Sequence, residues 1–253
     1  MDIANKLALV VGGASGMGRA SAELLAERGA KVAIIDRPGG EGEQIASAIG
    51  GVFIEGDITD HAAIETQLAT AVESLGGLNI AVNTAGGGIV GRTLGKDGPH
   101  ALDAFSSVIN LNLISTFNLN RLQAAHMAES APDEDGERGV IINTSSIAAF
   151  EGQIGQVAYS AAKAGIAGMA LTMARDLGSY GIRVLAIAPS LFETGAVAGL
   201  PTDMIPPLVA GNAFPKRMGR PDEYAKLATA IVENSMLNGQ CLRLDAGMRF
   251  APR

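Results

Sequence analysis

The chain has 253 residues, 47% of them apolar but only 4% aromatic and none Trp, which suits one α/β domain with an aliphatic core covered on both faces. Against 26 acidic residues stand 19 basic ones, and the net charge of −7 argues against a nucleic-acid-binding surface as the main role. A single cysteine, Cys241, excludes an intrachain disulfide, fits a reducing compartment and reads as a small buried hydrophobe in a late strand. No apolar run approaches the roughly 18 residues of a membrane span, and a strand beginning near Leu7 leaves no room for a signal or transit peptide. The expected setting is therefore the cytoplasm, or the mitochondrial matrix in a eukaryote, with neither nucleic acid nor membrane as partner.

Apolar runs at 7–11, 31–36, 51–55, 78–83, 140–144, 182–188 and 240–244 read as strands, and helical patterns lie at 16–28, 42–49, 61–75, 101–129, 155–178 and 221–234. This alternation predicts a doubly wound, Rossmann-type parallel sheet of about seven strands with helices on both faces, one domain over 1–253. The first strand runs straight into Gly12-Gly-Ala-Ser-Gly-Met-Gly18 and a helix. In that context backbone N–H groups and the positive end of a helix hold a pyrophosphate. The spacing is Gly-x-x-x-Gly-x-Gly and departs from the strict Gly-x-Gly-x-x-Gly fingerprint.

Asp36 ends the second strand, eighteen residues after Gly18, where an acid accepts from the adenosine ribose hydroxyls and repels a 2′-phosphate. The plainer reading is a strand-end Asp opening the Arg37-Pro-Gly-Gly40 turn. Arg37 would accommodate a 2′-phosphate, but Ser15 and Met17 add no further positive charge, so NAD is favoured as the cofactor. Residues 86–99 hold five more glycines after Gly86 and read as a mobile loop beside the active site. In 131–139, Asp133-Glu-Asp-Gly-Glu137 lacks the spacing of a calcium loop and reads as a solvated acidic turn. His61, His100 and His126 form no close pair, so no metal is expected, and two of them lie in helical patterns that should face solvent. Gly13-Ala-Ser-Gly-Met17 fails the nucleophile elbow at its last position, and the glycosylation sequon Asn143-Thr-Ser145 closes a buried strand.

Tyr159 and Lys163 stand four residues apart in a helical pattern, which puts them on one face about 5–6 Å apart at Cβ. A cation beside a phenol stabilises the phenolate and draws its pKa below about 10, so that it exchanges protons near neutrality. Ser146 follows the strand Val140-Ile-Ile-Asn-Thr144 and can point its hydroxyl into a cleft at that strand's carboxyl end. The helix 155–178 is small or apolar on nearly every side, Ala161, Gly165, Gly168 and Met169 included. A helix of that kind is buried all round, and one sheet covers one side, so a homotetramer is expected to use it together with 101–129.

With these motifs in this order, the chain resembles the short-chain dehydrogenase/reductase family nearly end to end. The glycine turn, Asp57 after the third strand, Asn83-Thr-Ala-Gly86, Asn112, Ser146, Tyr159/Lys163 and Pro189-Ser190 carry the resemblance. It implies reversible hydride transfer between a secondary alcohol and the nicotinamide of NAD. Tyr159 would be the general base or acid, and Ser146 a donor to the developing oxygen charge. Lys163 would lower the Tyr159 pKa and bind the nicotinamide ribose. Asn112 would bend its helix and hold a water leading from Lys163 to solvent; the residues alone do not choose it over Asn110. Cofactor contacts implied by the family are Gly12, Ser15, Gly16, Met17, Gly18, Asp36, Asp57, Ile58, Asn83, Ala85, Gly86, Tyr159, Lys163, Pro189, Phe192 and Thr194. Gln153 would join Ser146 and Tyr159 on the substrate side. Val11, Thr84 and Ser190 depart from the family pattern, and the first two affect hydrogen bonds of the glycine turn.

The strings at 139–144, 148–153 and 188–192, with Leu237-Asn-Gly239 and Arg243-Leu-Asp245, resemble the branch of the family that acts on 3-hydroxyacyl-CoA. That resemblance implies conversion of a 3-hydroxyacyl-CoA to its 3-oxo form in fatty-acid or branched-chain acyl oxidation, with a hydroxysteroid as the second substrate class. Leu191-Phe192, Ala196-Val-Ala198, Leu200, Met204-Ile205 and Leu208-Val209 form an apolar lid that suits an acyl chain or a sterol and does not suit a sugar. Arg92 and Lys96 would meet the phosphates of coenzyme A, or simply be solvated. Family members that act as non-catalytic nucleotide-sensing scaffolds typically lose the Tyr or the Lys, and both are present here.

Overall fold

The computed structural model describes residues 1–96, 98–197 and 201–252. Leu7–Val11 (β1), Gly16–Glu27 (α1), Lys31–Asp36 (β2), Gly42–Ala48 (α2), Val52–Glu55 (β3), Ala63–Leu75 (α3) and Ile80–Asn83 (β4) form the first half. Two short strands, Leu94–Gly95 (β5) and Gly98–Pro99 (β6), then make an antiparallel hairpin. Leu102–Ile109 (α4), a π-helical turn Asn110–Ile114 and Ser115–Glu129 (α5) follow. Gly139–Thr144 (β7), Val157–Leu177 (α6), Ile182–Pro189 (β8), Ile205–Val209 (α7), Pro221–Glu233 (α8) and Cys241–Leu244 (β9) complete the order.

Seven strands pair in parallel as β3-β2-β1-β4-β7-β8-β9, the expected doubly wound sheet. Parallel strands with a helix layer on each face have no polar side to present, which is why their sequences are continuous apolar runs. Val10 and Ile34 pack with Leu25 of α1, Ile45 of α2 and Ile231 of α8. Their neighbours Leu9, Val11 and Ile35 point the other way, onto Leu68 of α3, Leu119 of α5 and Met173 of α6. The strand order reverses between β1 and β4, and such a reversal opens a crevice beyond the carboxyl ends of the strands.

Several expectations are corrected by this packing. The helix expected over 101–129 is broken into α4, a π turn and α5. There the Asn112 side-chain amide donates to the Val108 carbonyl at 2.9 Å, taking the acceptor that its own backbone N–H would use in a regular helix. The glycine-rich loop carries the β5–β6 hairpin, closed by a bond from the His100 N–H to the Thr93 carbonyl at 3.0 Å. The expected strand at 78 begins at Ile80, and just before it the Asn79 amide accepts from the Leu7 N–H and donates to the Arg138 carbonyl.

The acidic turn is not wholly solvated. Its last residue, Glu137, is buried and accepts from Arg183 Nε at 2.7 Å. The same guanidinium donates to the carbonyls of Ile231, Val232 and Leu237 at 2.8–2.9 Å, so it closes the C-terminal end of α8. His61 and His126, expected to face solvent, are half-buried, as is His100; Cys241 is half-buried too, its thiol pKa raised by burial.

Candidate functional site

A cleft of about 740 Å³ lies at the carboxyl ends of the strands and takes lining from both halves of the sheet. Its floor is the turn between β1 and α1. Gly12 has φ +86°, and a Cβ there would sit 2.6 Å from the Ala85 nitrogen, so only glycine lets the turn approach β4. Ser15 caps α1 without a side-chain hydrogen bond, and the first turn holds no acidic residue. Free amides at a positive helix end suit the anionic pyrophosphate of a dinucleotide, so the residues present fit such a cofactor. Ser15, Gly16, Met17 and Gly18 all line the cleft. The Thr84 hydroxyl lies 3.1 Å from both the Val11 and Gly12 carbonyls. The turn thus takes from β4 the hydroxyl support that Val11 cannot give.

Asp36 reaches the cleft from the end of β2 and also braces it. One carboxylate oxygen accepts from the Ala14 N–H and the other from the Arg37 N–H, both at 2.8 Å. These bonds are the ones the plainer reading of a strand-end Asp expects. Asp57 accepts from the N–H and hydroxyl of Thr59, at 2.8 and 2.7 Å, and these bonds hold its carboxyl below the usual range. Ile58, Ala85, Gly86, Pro189, Phe192 and Thr194 also line the cleft. Phe192 is nonetheless only 5% exposed and packs into the core, its ring filling the space a Cβ on Gly219 would need.

Ser146, Tyr159 and Lys163 come together in the lining of the cleft. Lys163 is 3% exposed; its Nζ donates to the Thr144 carbonyl at 2.8 Å, and its own carbonyl accepts from the Ser145 hydroxyl at 2.8 Å. The Ser146 hydroxyl accepts from the Ala148 N–H at 3.1 Å, which fixes the turn Ile147–Ala149. Asn112 is fully buried at the π turn, while Asn110 is only half-buried. The Asn112 amide accepts from the Gly87 N–H at 3.2 Å and donates to the Gly87 carbonyl at 2.7 Å. A Cβ on Gly86 would stand 2.7 Å from Asn112 Oδ1 and 3.3 Å from Lys163 Nζ, so the absence of a side chain keeps these two groups in reach of the cleft.

The expected lowering of the Tyr159 pKa is not found in this arrangement. Burial raises it, and only the Ser146 hydroxyl works the other way. The reason is geometric. The Lys163 ammonium lies 5.5 Å from the centre of the Tyr159 ring and bonds the Thr144 carbonyl, not the phenol oxygen.

Two expected contacts lie elsewhere. Asn83 turns its side chain below the cleft into a buried amide cluster, within 2.8–3.1 Å of Asn120, Gln123 and Asn143. Gln153 lines a second concavity of about 630 Å³ with Arg92, and donates to the Ala251 carbonyl at 3.2 Å. Of the expected lid, Val209 is buried in the core, Leu191 and Val197 line the main cleft, and Ala198 and Leu200 lie outside the described residues. Thr144, Thr59 and Leu111 line the cleft without having been expected there. Each directly adjoins a motif residue in sequence or sits within a turn of one, which is the only signal that marks them.

Burial draws the Lys163 pKa from 10.5 down to about 8. Below pH 8 the folded protein carries this charge at a cost that the unfolded chain lacks, and the cost fades as pH rises from about 8 to 10.5. Lys163→Met should therefore stabilise the cofactor-free protein at pH 7, by at most roughly 3 kcal/mol, with the gain shrinking by pH 10. Thermal melts of both proteins at the two pH values decide it: a difference in melting temperature that does not change with pH would contradict a depressed Lys163.

Comparison with known proteins accords with this geometry. The family described as short chain dehydrogenase matches residues 6–204. The 3-hydroxyacyl-CoA dehydrogenase type-2 of Drosophila melanogaster is 46% identical, covering 99% of this chain and 100% of its own length. That of Bos taurus is 48% identical, over 97% and 96%. The crystal structure of 3-hydroxyacyl-CoA dehydrogenase type-2 from Mycobacterium avium superposes with a TM-score of 0.94 at 38% identity, covering 100% of this chain and 98% of that one. Nicotinamide-dependent dehydrogenases make up this group, and the chain belongs to the short-chain dehydrogenase family.

Proposed function

We propose that this dehydrogenase is NAD-dependent, interconverts a 3-hydroxyacyl-CoA and its 3-oxo form in fatty-acid or branched-chain acyl oxidation, and works as a cytoplasmic or matrix homotetramer. The observation that carries the reading is the meeting of Ser146, Tyr159 and Lys163 at the cleft, in a chain 46–48% identical to relatives bearing that name. Bound nicotinamide would supply the hydride acceptor. The Tyr159 phenol, held protonated by burial, donates to a ketone oxygen, and in the opposite direction takes the alcohol proton. The Ser146 hydroxyl donates to the oxygen that changes charge. Gly12, Ser15, Gly16, Met17 and Gly18 would hold the pyrophosphate, Asp36 the adenosine ribose, and Lys163 the second ribose. The loop beside Tyr159 exposes Ile89, Val90 and Leu94, and α7 with its lead-in exposes Met204 and Leu208. Such side chains suit an acyl chain, and Arg92 suits a phosphate of its coenzyme A.

Tyr159→Phe should abolish NADH formation from 3-hydroxyacyl-CoA while leaving NADH affinity nearly intact, because it removes the acid/base oxygen and keeps the ring. Steady-state assays over a panel of 3-hydroxyacyl-CoA and hydroxysteroid substrates test both points. Retention of more than about a tenth of wild-type kcat would remove Tyr159 from the chemistry, and turnover of steroids alone would replace the substrate.

Asp36→Ala should relax the preference against NADPH by about tenfold or more, since two like charges near 4 Å repel by a few kcal/mol even at an effective dielectric near 20. It should weaken NADH as well, because the Ala14 N–H loses its acceptor. Wild-type protein that uses both dinucleotides equally would overturn this role for Asp36.

On α6, Ala161, Ala164, Gly168 and Leu171 form an exposed face, and α5 with the turn before it exposes Ile114 and Phe117. A Cβ added at Gly168 meets nothing within 4 Å. Gly168→Arg therefore fits the single chain and should disrupt assembly alone. Light scattering that gives a wild-type mass of one chain would refute the tetramer.

A further inference from the structure

Tyr224 is fully buried in α8, on the opposite face of the sheet from α6, and is the largest of the fully buried side chains. Its hydroxyl lies 2.7 Å from the Thr144 hydroxyl. The direction of that bond follows from a proton count. Thr144 Oγ1 has one hydrogen and stands 2.7 Å from the Asn83 carbonyl, which can only accept. Thr144 therefore donates to Asn83, and Tyr224 donates to Thr144. A phenol kept protonated by burial suits that role.

Thr144 is also the residue whose carbonyl receives Lys163 Nζ at 2.8 Å. The peptide unit holding this carbonyl ends in the Ser145 N–H, which donates to the Ile187 carbonyl of β8 at 2.7 Å. One peptide plane thus runs from β8 to the ammonium, and the side chain at its root is pinned from two sides. Register with β4 ends at the pair Asn83 and Asn143, one residue before Thr144. The two hydroxyl bonds hold its side chain beyond that pair.

We infer that Tyr224 and Thr144 are positioning residues for Lys163: a phenol-to-hydroxyl-to-backbone relay, entering from the far layer of helices, aims the carbonyl that seats the ammonium in the cleft. The inference rests on the reading of Lys163 as a dinucleotide-binding group. A core tyrosine without this role would affect stability alone.

The test uses Tyr224→Phe, Thr144→Val, the double variant and Thr144→Ser, which keeps the hydroxyl. NADH dissociation constants are read by fluorescence without substrate, beside kcat, KM for 3-hydroxyacyl-CoA and melting temperature. Tyr224→Phe should weaken NADH and lower kcat by about three- to tenfold, the loss of one buried hydrogen bond, with the acyl-CoA KM unchanged. Thr144→Ser should stay within about twofold of wild type, and the double variant should be no worse than Thr144→Val, because both act through one chain of bonds. A Tyr224→Phe protein that melts earlier yet keeps NADH affinity and kcat overturns the relay, as do independent, multiplicative losses in the double variant. Should Thr144→Val fail to fold, Tyr224→Phe and Thr144→Ser decide the matter. A wild type that binds no NADH overturns the dinucleotide reading and the relay with it. One that binds NADH but spares 3-hydroxyacyl-CoA overturns the substrate, and the NADH affinities of the variants then decide the relay by themselves.

Discussion

A lysine with 3% exposure is an expensive thing to build into a protein, and the cleft is organised around Lys163. Charges leave water only where other groups replace its hydrogen bonds. Here the replacement is a single backbone carbonyl, available because β7 runs one residue past its register with β4. The partial compensation explains the direction of the shift, since a fully satisfied ammonium would keep its ordinary pKa. It also explains why bulk is excluded at Gly86. A side chain there would press on both Nζ and the Asn112 amide. Stability given up at such a place is a common companion of a working active site.

The sheet was legible because its strands are buried on both faces, and continuous runs such as Leu7-Ala-Leu-Val-Val11 leave little alternative. Strand ends were harder. Asn79 sits next to an apolar run, yet its amide is claimed by two backbones from neighbouring segments, and nothing local marks that. The nearness of Tyr159 and Lys163 could be read from spacing, since four residues on a helix fix a shared face. The electrostatics could not. Spacing puts Lys163 beside Tyr159, but only the carbonyl of Thr144, from another strand, reveals where the ammonium points.

Asn83 and Glu137 show the same limit from the polar side. Asn83 lies within a motif that borders the cleft, and alternation along β4 aims its side chain into the amide cluster under it. Glu137 ends a charged stretch that reads as surface, but Arg183 waits in the core, close to two helix-end carbonyls that need donors. Buried polar groups are satisfied in sets, and the members of a set come from distant parts of the chain. A reading that moves along the sequence meets them singly, and so takes Asn83 for a cofactor contact and Glu137 for a solvated residue.

The π turn at Asn110–Ile114 has a bearing on how the chain tolerates changes in length. A π turn holds one residue more than the α-helical turn it replaces, and each residue of an α-helix advances it by about 100°. α4 and α5 are therefore out of phase with each other, as two screws joined by a washer. Deleting one residue here would restore an unbroken helix and rotate everything beyond it, carrying Asn120 and Gln123 away from Asn83 and turning Leu119 from the sheet. A helical wheel drawn straight through 101–129 makes the same error on paper. The extra residue is thus a phase setting for one helix of that layer, and a shortened chain would lose its amide cluster before it lost any helix.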